Sequence, residues 1–244
     1  MQITSQELDH VAAAQAPRFD MYSGIHKALR ALMADTLLAL GRMDTDDELA
    51  LAQGTERVMQ LLDACRSHLH HENAFVHAAI EARAPGASDR IAHEHGEHEQ
   101  HIAQLAQQVA ALRSAPQPER FGRAQGLYRA LALFVAENFQ HMHVEETAHN
   151  AVLWARYTDA ELVAIHDALV ASIPPHEMML TVRWLVPFMN PIERLMLLSD
   201  IRGKAPAEAF QAMLEVVRPH LDAQEWAKLA RGLGLPPVPG LMEA

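Results

Sequence analysis

Two segments of the chain carry a histidine and a glutamate four positions apart. The segment His68-Leu69-His70-His71-Glu72 is matched 73 positions later by His141-Met142-His143-Val144-Glu145. Residues four apart lie on the same face of an α-helix, so each segment places an imidazole beside a carboxylate. This combination of nitrogen and oxygen donors suits iron, manganese or zinc better than magnesium or calcium. The two segments therefore predict a pair of metal-ligating helices.

Two further histidines precede these segments at nearly constant spacing. His26 lies 42 positions before His68, and His98 lies 43 positions before His141. The chain thus repeats a unit of two helices, the first with one histidine and the second with H-x-x-x-E. Two such hairpins packed face to face bring four histidines and two glutamates together, as metal sites in four-helix bundles are built.

Other histidines next to His98 leave its assignment open. His95 and His101 lie three residues to either side of it, and a shifted register of the helix would use one of them instead. The matched spacing of the two repeats favours His98. His71 lies partly inward, where it is either an additional ligand or a hydrogen-bonding neighbour of one.

The spacing of apolar residues indicates which elements hold these side chains. Four long helices are predicted, at about 19–40, 48–83, 88–113 and 120–157, after a short helix in SQELDHVAAA. Asp and Thr residues in 43–48 suit an N-cap, and Ser88 suits another. Short loops between long helices imply antiparallel neighbours. The predicted fold is all-α: an up-down-up-down four-helix bundle over residues 18–157.

Residues 158–244 form a predicted C-terminal helical extension that packs on the bundle. Proline residues divide it into helices at about 159–173, 178–186, 192–202, 205–217 and 222–233, and the tail PPVPG is expected to be loosely held. This part of the chain has no metal-ligand spacing. Its helices offer a surface through which a homodimer would form.

Composition excludes several classes of protein. The formal net charge of −11 disfavours nucleic acid as a partner, because a phosphate footprint needs clustered Lys and Arg. The one cysteine, Cys65, excludes an internal disulfide and is expected to be a small buried residue. We see no signal peptide and no uncharged apolar run of roughly 18 residues, so a soluble cytoplasmic protein without a membrane span is expected.

Buried carboxylates cost several kcal/mol each unless a cation compensates them. Two carboxylates can bridge two ions, which explains why the ligand set is doubled. Two iron ions are favoured over zinc or manganese, because an iron pair with open positions binds a diatomic ligand and changes oxidation state. The spacing of the residues does not exclude zinc.

Over about residues 18–157 the chain resembles the hemerythrin-like proteins, also called HHE cation-binding domains. The resemblance rests on His26, on the two H-x-x-x-E motifs, on His98, and on Glu146, the second acid after His141. It implies a four-helix bundle around a non-haem di-iron centre. It also implies that Glu72 and Glu145 bridge the ions, within the metal ligand set His26, His68, Glu72, His98, His141 and Glu145.

One departure from that family affects the expected function. Oxygen-carrying hemerythrins have H-x-x-x-H on the third helix, whereas here Glu94 stands four positions before His98. Either Glu94 binds the metal through its carboxylate, or one of the two metals has one imidazole ligand fewer. Tyr22 occupies the matching place before His26 and is a phenol ligand, a hydrogen-bond donor near the metal, or a core residue. This departure disfavours reversible oxygen carriage and leaves redox or gas sensing, iron sensing, or peroxide chemistry.

The sequence therefore favours a binding or sensing protein for oxygen, nitric oxide, peroxide or iron over an enzyme. One alternative is an iron-dependent oxidase or peroxidase using the same centre. Another is a helical interaction module stabilised by structural zinc. Among the other histidines, His70 and His143 are expected to be exposed, and surface or capping positions are expected for His77, His93, His149, His166, His176 and His220.

Overall fold

The computed structural model describes residues 4–13 and 18–235, and every regular element among them is helical. This confirms the predicted all-α class. The short first helix α1 spans Ser5–Ala12. The long helical part comprises α2 (Ser23–Gly41), α3 (Glu48–His71), α4 (Ala78–Arg83), α5 (Asp89–Arg113), α6 (Gln117–Val144) and α7 (Asn150–Arg156).

Two of the four long helices contain a π-helical segment. Glu72–His77 joins α3 to α4, and Glu145–His149 joins α6 to α7, with right-handed helical backbone at each junction. Residues 48–83 and 117–156 are therefore two continuous rods, named here the α3–α4 rod and the α6–α7 rod. Each π segment begins at the glutamate of an H-x-x-x-E motif. Single π turns of this kind within α-helices occur frequently at functional sites.

Side-chain pairs between the long helices show that neighbours run antiparallel. At one end of α5, the Arg113 guanidinium donates to the Thr55 hydroxyl near the start of α3 (2.9 Å). At the other end, His95 Nδ1 lies 2.7 Å from the side-chain oxygen of Asn73 on the α3–α4 rod. The ion pair between His101 on α5 and Glu137 on α6 (3.0 Å) fits the same antiparallel arrangement.

Local side-chain chemistry explains where several helices begin and end. Asp47 Oδ1 accepts from the backbone N–H groups of Leu49 and Ala50, so the expected N-cap before α3 is present. Ser88 occupies the N-cap position of α5, as expected, but its side chain makes no capping hydrogen bond. Its hydroxyl donates to Glu81 Oε1 (2.7 Å) and does not cap α5, because Glu81 of the preceding helix folds over the loop and receives it. At the end of α2, a Cβ on Gly41 would lie 3.0 Å from the Tyr128 ring, so a larger residue there would have to displace the ring by a few tenths of an ångström.

The chain divides into two compact units. The first contains the described residues of 1–23 and 33–172, and it includes α8 (Asp159–Ser172). Leu162 of α8 packs in an apolar cluster of this unit with Tyr22, Val76 and Leu153. Helix α8, which the sequence analysis places in the extension, thus groups with the long helices. The predicted domain boundary after residue 157 stays a prediction.

The second unit contains the described residues of 24–32 and 173–244. Its helices are α9 (Pro175–Leu185), α10 (Pro191–Lys204), α11 (Ala207–Val217) and α12 (Ala223–Gly232), with 3₁₀ turns at Val186–Phe188 and Arg218–His220. These match the helices expected from the proline pattern. An apolar cluster that includes Leu198, Phe210, Leu214 and Trp226 forms its core. The PPVPG tail lies outside the described residues.

Among the described residues of the second unit, Arg194 carries a buried charge, and it is 2% exposed. Its guanidinium donates to the backbone carbonyls of Val186 (3.0 Å), Pro187 (3.0 Å) and Met189 (3.1 Å) and to the Glu225 carboxylate (3.1 Å). Glu225 also completes the capping box of α12. This charge therefore receives its partners from the chain itself. None of the described helices is long and apolar enough to cross a membrane.

Candidate metal centre

The two H-x-x-x-E motifs face the same interior region of the first unit. His68 Nε2 lies 3.3 Å from Glu72 Oε1, and His141 Nε2 lies 3.3 Å from Glu145 Oε1. Both glutamates are buried, Glu145 completely. His95 Nε2 lies between them, 3.6 Å from a carboxylate oxygen of each. The fold thus brings two buried carboxylates together around imidazole nitrogens.

The spacing of the donor atoms fits metal binding. Glu72, His95, His141 and Glu145 each offer one ligand atom, and these atoms lie within 4.8 Å of one another. His68, Glu72 and Glu145 offer atoms within the same distance of each other. Because both glutamates belong to both groups, they lie where carboxylates that bridge two cations are needed. Their bridging role stays a prediction.

The chemistry of this donor set also fits a metal. Two buried carboxylates are costly without positive charge nearby, and their described ion-pair partners here are imidazoles. Neutral imidazole and carboxylate suit iron, zinc and manganese. A cation pair would compensate both carboxylates and would use the imidazole nitrogens directed at them. The residues present therefore fit the cations that the sequence predicts.

His26 is completely buried on α2. It lies in residues 24–32, which group with the second unit. Its place in the ligand set rests on the sequence repeat and stays a prediction.

On the third long helix, α5, the histidine that joins the groups of ligand atoms is His95, whereas the matched spacing of the repeats favours His98. Both histidines lie on the buried stripe of α5. His95 joins the group of ligand atoms, and its Nδ1 is fixed by Asn73. His98 lies outside those groups, with its ring edge against His141 (centroids 4.7 Å apart). Its Nδ1 has no hydrogen-bond partner among the described residues, and burial lowers its pKa to about 4.

Glu94, predicted as a ligand, also lies outside the groups of ligand atoms. It accepts a hydrogen bond from His141 Nδ1 (3.0 Å) and another from Arg90 Nε (3.0 Å). With its Nδ1 hydrogen donated to Glu94, His141 directs Nε2 towards Glu145. Carboxylates that hold a ligating histidine in this way fix its tautomer and orientation.

The charges around His141 alter its protonation. Burial opposes a charge on this imidazole, but its hydrogen bond to Glu145, the charge of Glu145 and the hydrogen bond to Glu94 outweigh it and raise the pKa to about 9. For Glu94, burial is likewise outweighed by the hydrogen bonds from His141 and Arg90, which lower its pKa. At neutral pH a proton therefore compensates part of the buried negative charge, and metal binding must displace it.

Two buried histidines contradict the sequence analysis, which assigns both to surface or capping positions. His77 is 6% exposed and His149 is 2% exposed. In an α-helix, His77 would lie about 140° around the axis from Glu72. The π segment is closed by hydrogen bonds between residues five apart and brings His77 back above Glu72. Its ring stacks on His95 (centroids 4.7 Å apart).

The sequence contains one signal that identifies this histidine pair. His77 and His149 are 72 positions apart, whereas the two H-x-x-x-E motifs are 73 apart. The first π segment has six residues and the second has five, which accounts for the difference of one. His77, Glu145 and His149 form another group whose ligand atoms lie within 4.8 Å of one another. Burial lowers the pKa of His77 to about 4 and also lowers that of His149.

Tyr22 is a buried core residue that hydrogen-bonds near the donor cluster, which matches two of the roles expected for it. Its hydroxyl lies 3.1 Å from His149 Nδ1. Burial, followed by the charges of Glu145 and Glu72, raises the pKa of the phenol, which therefore stays protonated.

Four other residues have mixed outcomes. His70 is exposed and Cys65 is buried, as expected, and burial raises the pKa of the Cys65 thiol to about 12. The expectation for His143 is wrong, because it is half-buried and its Nε2 lies 2.7 Å from Glu7 of α1. His71 is half-buried, 3.3 Å from the Ser67 hydroxyl, and its ligation stays a prediction.

A pocket of about 210 Å³ reaches His141 from the side of α5 and α6. Its lining is mainly polar and consists of Arg90, Glu94, Glu97, His98, His101, Glu137, Gln140 and His141. It is the feature through which a small molecule would approach the donor cluster.

Comparison with known proteins identifies one family. The model of the hemerythrin HHE cation binding domain matches residues 19–150, which is more than half of the chain. Comparison with curated proteins and with solved structures gives no significant match.

Proposed function

Because the chain belongs to the hemerythrin HHE cation-binding domain family, we propose that it holds two non-haem iron ions and binds a small ligand at them. The observation that carries this proposal is the buried group of Glu72, His95, His141 and Glu145. The ligand classes are oxygen, nitric oxide and peroxide, and the role is binding or sensing, of such a ligand or of iron itself. Bound iron would supply open coordination positions and a change of oxidation state.

The residues of the chain have distinct roles in this proposal. Glu72, Glu145, His68, His95 and His141 would hold the two ions, with the two carboxylates shared between them. Glu94 and Asn73 hold the imidazoles of His141 and His95 through their Nδ1 atoms. Both imidazoles then present Nε2 to the carboxylates, 3.1 Å from each other. His26 and His98 remain the ligands that the sequence repeat suggests.

The size and lining of the pocket support a small ligand. About 210 Å³ admits a diatomic molecule or peroxide and lies below the range of typical pockets for organic ligands, about 300–1,000 Å³. Histidines and carboxylates line it, so a polar molecule or a cation meets hydrogen-bonding groups along the way. These features favour binding of a small polar species over catalysis on a large one.

One observation favours the alternative of an iron-dependent oxidase or peroxidase. Tyr22 is a buried phenol hydrogen-bonded to His149, and this pair can supply a proton and an electron at the same place. Catalytic consumption of peroxide or oxygen that depends on Glu145 would support the enzyme. A reaction that stops after one turnover would support the binding or sensing protein.

The first experiment is metal analysis with a visible spectrum on the purified protein. We expect about two irons per chain and oxo-to-iron charge-transfer absorption. His95→Ala and Glu145→Ala should lose iron, whereas His93→Ala should keep it, because His93 is on the same helix with an 80% exposed side chain. A colourless, folded protein without metal would contradict the proposal. Zinc without iron would favour the zinc-stabilised interaction module.

A second copy of the chain is the partner that we propose for the second unit. Ile192 and Met196 are 70% and 68% exposed, one turn apart on α10, and Phe188 is 49% exposed just before it. Light scattering during size-exclusion chromatography should show a dimer for the native chain. Replacing both Ile192 and Met196 by Glu should give a monomer. A monomeric native chain would contradict this proposal.

A further inference from the structure

The two π segments end at histidines that neither H-x-x-x-E motif includes. His77 and His149 are both more than nine-tenths buried, and their rings meet edge to face with centroids 5.3 Å apart. Their ligand atoms lie within 4.8 Å of each other and of a Glu145 oxygen. The chain thus gathers a second kind of donor group beside the candidate pair of ions.

Both imidazoles have a nitrogen available as a donor. His77 Nε2 is buried and has no hydrogen-bond partner among the described residues. Leaving a buried polar nitrogen without a partner is costly, and such atoms in folded proteins usually have a specific reason. His149 Nδ1 faces the Tyr22 hydroxyl at 3.1 Å. When Nδ1–H donates to the phenol oxygen, the lone pair of His149 Nε2 is free to bind a cation.

Two imidazoles and one carboxylate form a recognised metal-binding set. Zinc sites with two histidines and a glutamate keep a further position open, and so do non-haem iron(II) sites with two histidines and a carboxylate. A cation here would use the His77 nitrogen and would be held by residues from two different rods. Neither magnesium nor calcium suits a set with two imidazoles.

We infer that His77, His149 and Glu145 form a third cation subsite for iron(II) or zinc, in addition to the proposed pair. Glu145 also belongs to the donor groups of the pair, so a third ion shares its carboxylate and meets the repulsion of the other ions. The third ion is therefore held more weakly and binds last. Tyr22 is a positioning residue that orients His149 and does not touch the ion.

Cobalt(II) alone, added without oxygen to the metal-stripped full chain, is the probe for this subsite. Equilibrium dialysis with metal analysis should give three cobalt ions per native chain at saturation, the last one weakest. His77→Ala and His149→Ala should each saturate at two. Tyr22→Phe should keep three but raise the Kd of the third ion roughly 10- to 100-fold, as losses of outer-shell partners do. His70→Ala, with an exposed histidine on the same rod, should behave as the native chain.

Other outcomes separate this inference from the proposed function. A native chain that saturates at two ions overturns the third subsite, and so does a His77→Ala chain that still binds three. If the native chain saturates at two ions, and His77→Ala and His141→Ala each bind fewer than two, His77 is a further ligand of the pair and there is no third subsite. One ion that survives in His141→Ala and depends on His77 would support the subsite even where the pair fails. If His77→Ala does not give a native circular dichroism spectrum, His77→Gln serves in its place.

Discussion

In the second unit, the buried guanidinium of Arg194 meets three carbonyls and a carboxylate of its own chain. In the first unit, the buried carboxylates of Glu72 and Glu145 face imidazoles whose protons can leave. The difference lies in what compensates the charge. Fixed dipoles and a surface carboxylate compensate Arg194 permanently, whereas the imidazoles offer lone pairs to a cation once they are deprotonated.

This comparison indicates which buried charge is structural and which is functional. Buried ion pairs contribute little to stability on average, but removing one partner is strongly destabilising. Arg194 therefore holds the turn at Val186–Phe188 to α10 and α12 and has no exchangeable partner. In the proposed centre, the imidazoles around the acidic pair of the first unit give up their protons when a metal binds. The predictions below test this contrast.

Replacing Arg194 by Met should give the largest loss of stability. It leaves the buried carbonyl of Val186 and the half-buried carbonyls of Pro187 and Met189 without this donor. Because each unsatisfied acceptor costs about 1–3 kcal/mol, we expect a loss of about 3–5 kcal/mol in the free energy of unfolding. Urea unfolding measures the change, with Arg231→Met as the control because Arg231 is exposed on α12. Metal content should not change. A loss below about 1 kcal/mol would show that Arg194 is not the structural charge described here.

Removing the metal should destabilise the first unit by a similar but smaller amount. A cation present at about a thousand times its Kd stabilises the folded state by about 4 kcal/mol, and a chelator removes that contribution. Thermal unfolding with and without chelator measures it. Glu145→Ala should show no chelator effect. An equal chelator effect in Glu145→Ala and the native chain would contradict the assignment of the donor cluster.

Glu94→Gln should weaken metal binding about 10- to 100-fold without changing the number of ions. The amide keeps the size of the side chain but no longer holds His141 as a carboxylate does. Glu97→Gln is the matched control, because Glu97 lines the same pocket with a 57% exposed side chain. Loss of a whole ion in Glu94→Gln would instead make Glu94 a ligand, as the sequence analysis expected.

The smallest predicted effect is the pH dependence of the stability of the metal-free chain. Burial lowers the pKa of His77 and of His98 from 6.5 to about 4, so each contributes stability above pH 6.5 that is lost as the pH falls towards 4. At pH 5.5 the loss is about 1 kcal/mol per histidine. The pKa of His141 is raised to about 9, so its contribution is complete below pH 6.5 and is lost as the pH rises through 9.

Urea unfolding of the metal-free chain should therefore show greatest stability near neutral pH. His98→Leu should reduce the acid-side loss at pH 5.5 by about 1 kcal/mol, because one of the histidines with a lowered pKa is gone, whereas His77 and His149 remain. An unchanged acid limb in that variant would contradict the assignment of His98.

The helices and the two acidic motifs could be predicted because they depend on local signals. Apolar spacing, proline and short loops determine the helix ends, and H-x-x-x-E fixes two donors on one face of a helix. The choice between His95 and His98 could not be made in this way. Both occupy the buried stripe of α5, and only contact with Asn73 and the neighbouring rods decides which imidazole nitrogen reaches the carboxylates.

His77 was missed for a different physical reason. Helical-wheel reasoning assumes 3.6 residues per turn along the whole helix, and the π segment Glu72–His77 breaks that assumption. The sequence shows that the two H-x-x-x-E motifs are 73 positions apart and the two histidines 72 apart. Interpreting this difference requires the backbone hydrogen-bonding pattern, which the sequence does not reveal. His149 lies four positions after Glu145, where an α-helical wheel already predicts the same face.

The π segments also set the rotation of one end of each rod relative to the other. Each wide turn holds about one residue more than an α-helical turn. If the same residues of Glu72–His77 were wound as a regular α-helix, everything downstream on that rod would rotate by about 100°, and His77 would turn away from Glu72. The extra residue thus sets the rotation between the two ends of a single rod. As a result, a glutamate and a histidine five positions apart face the same direction.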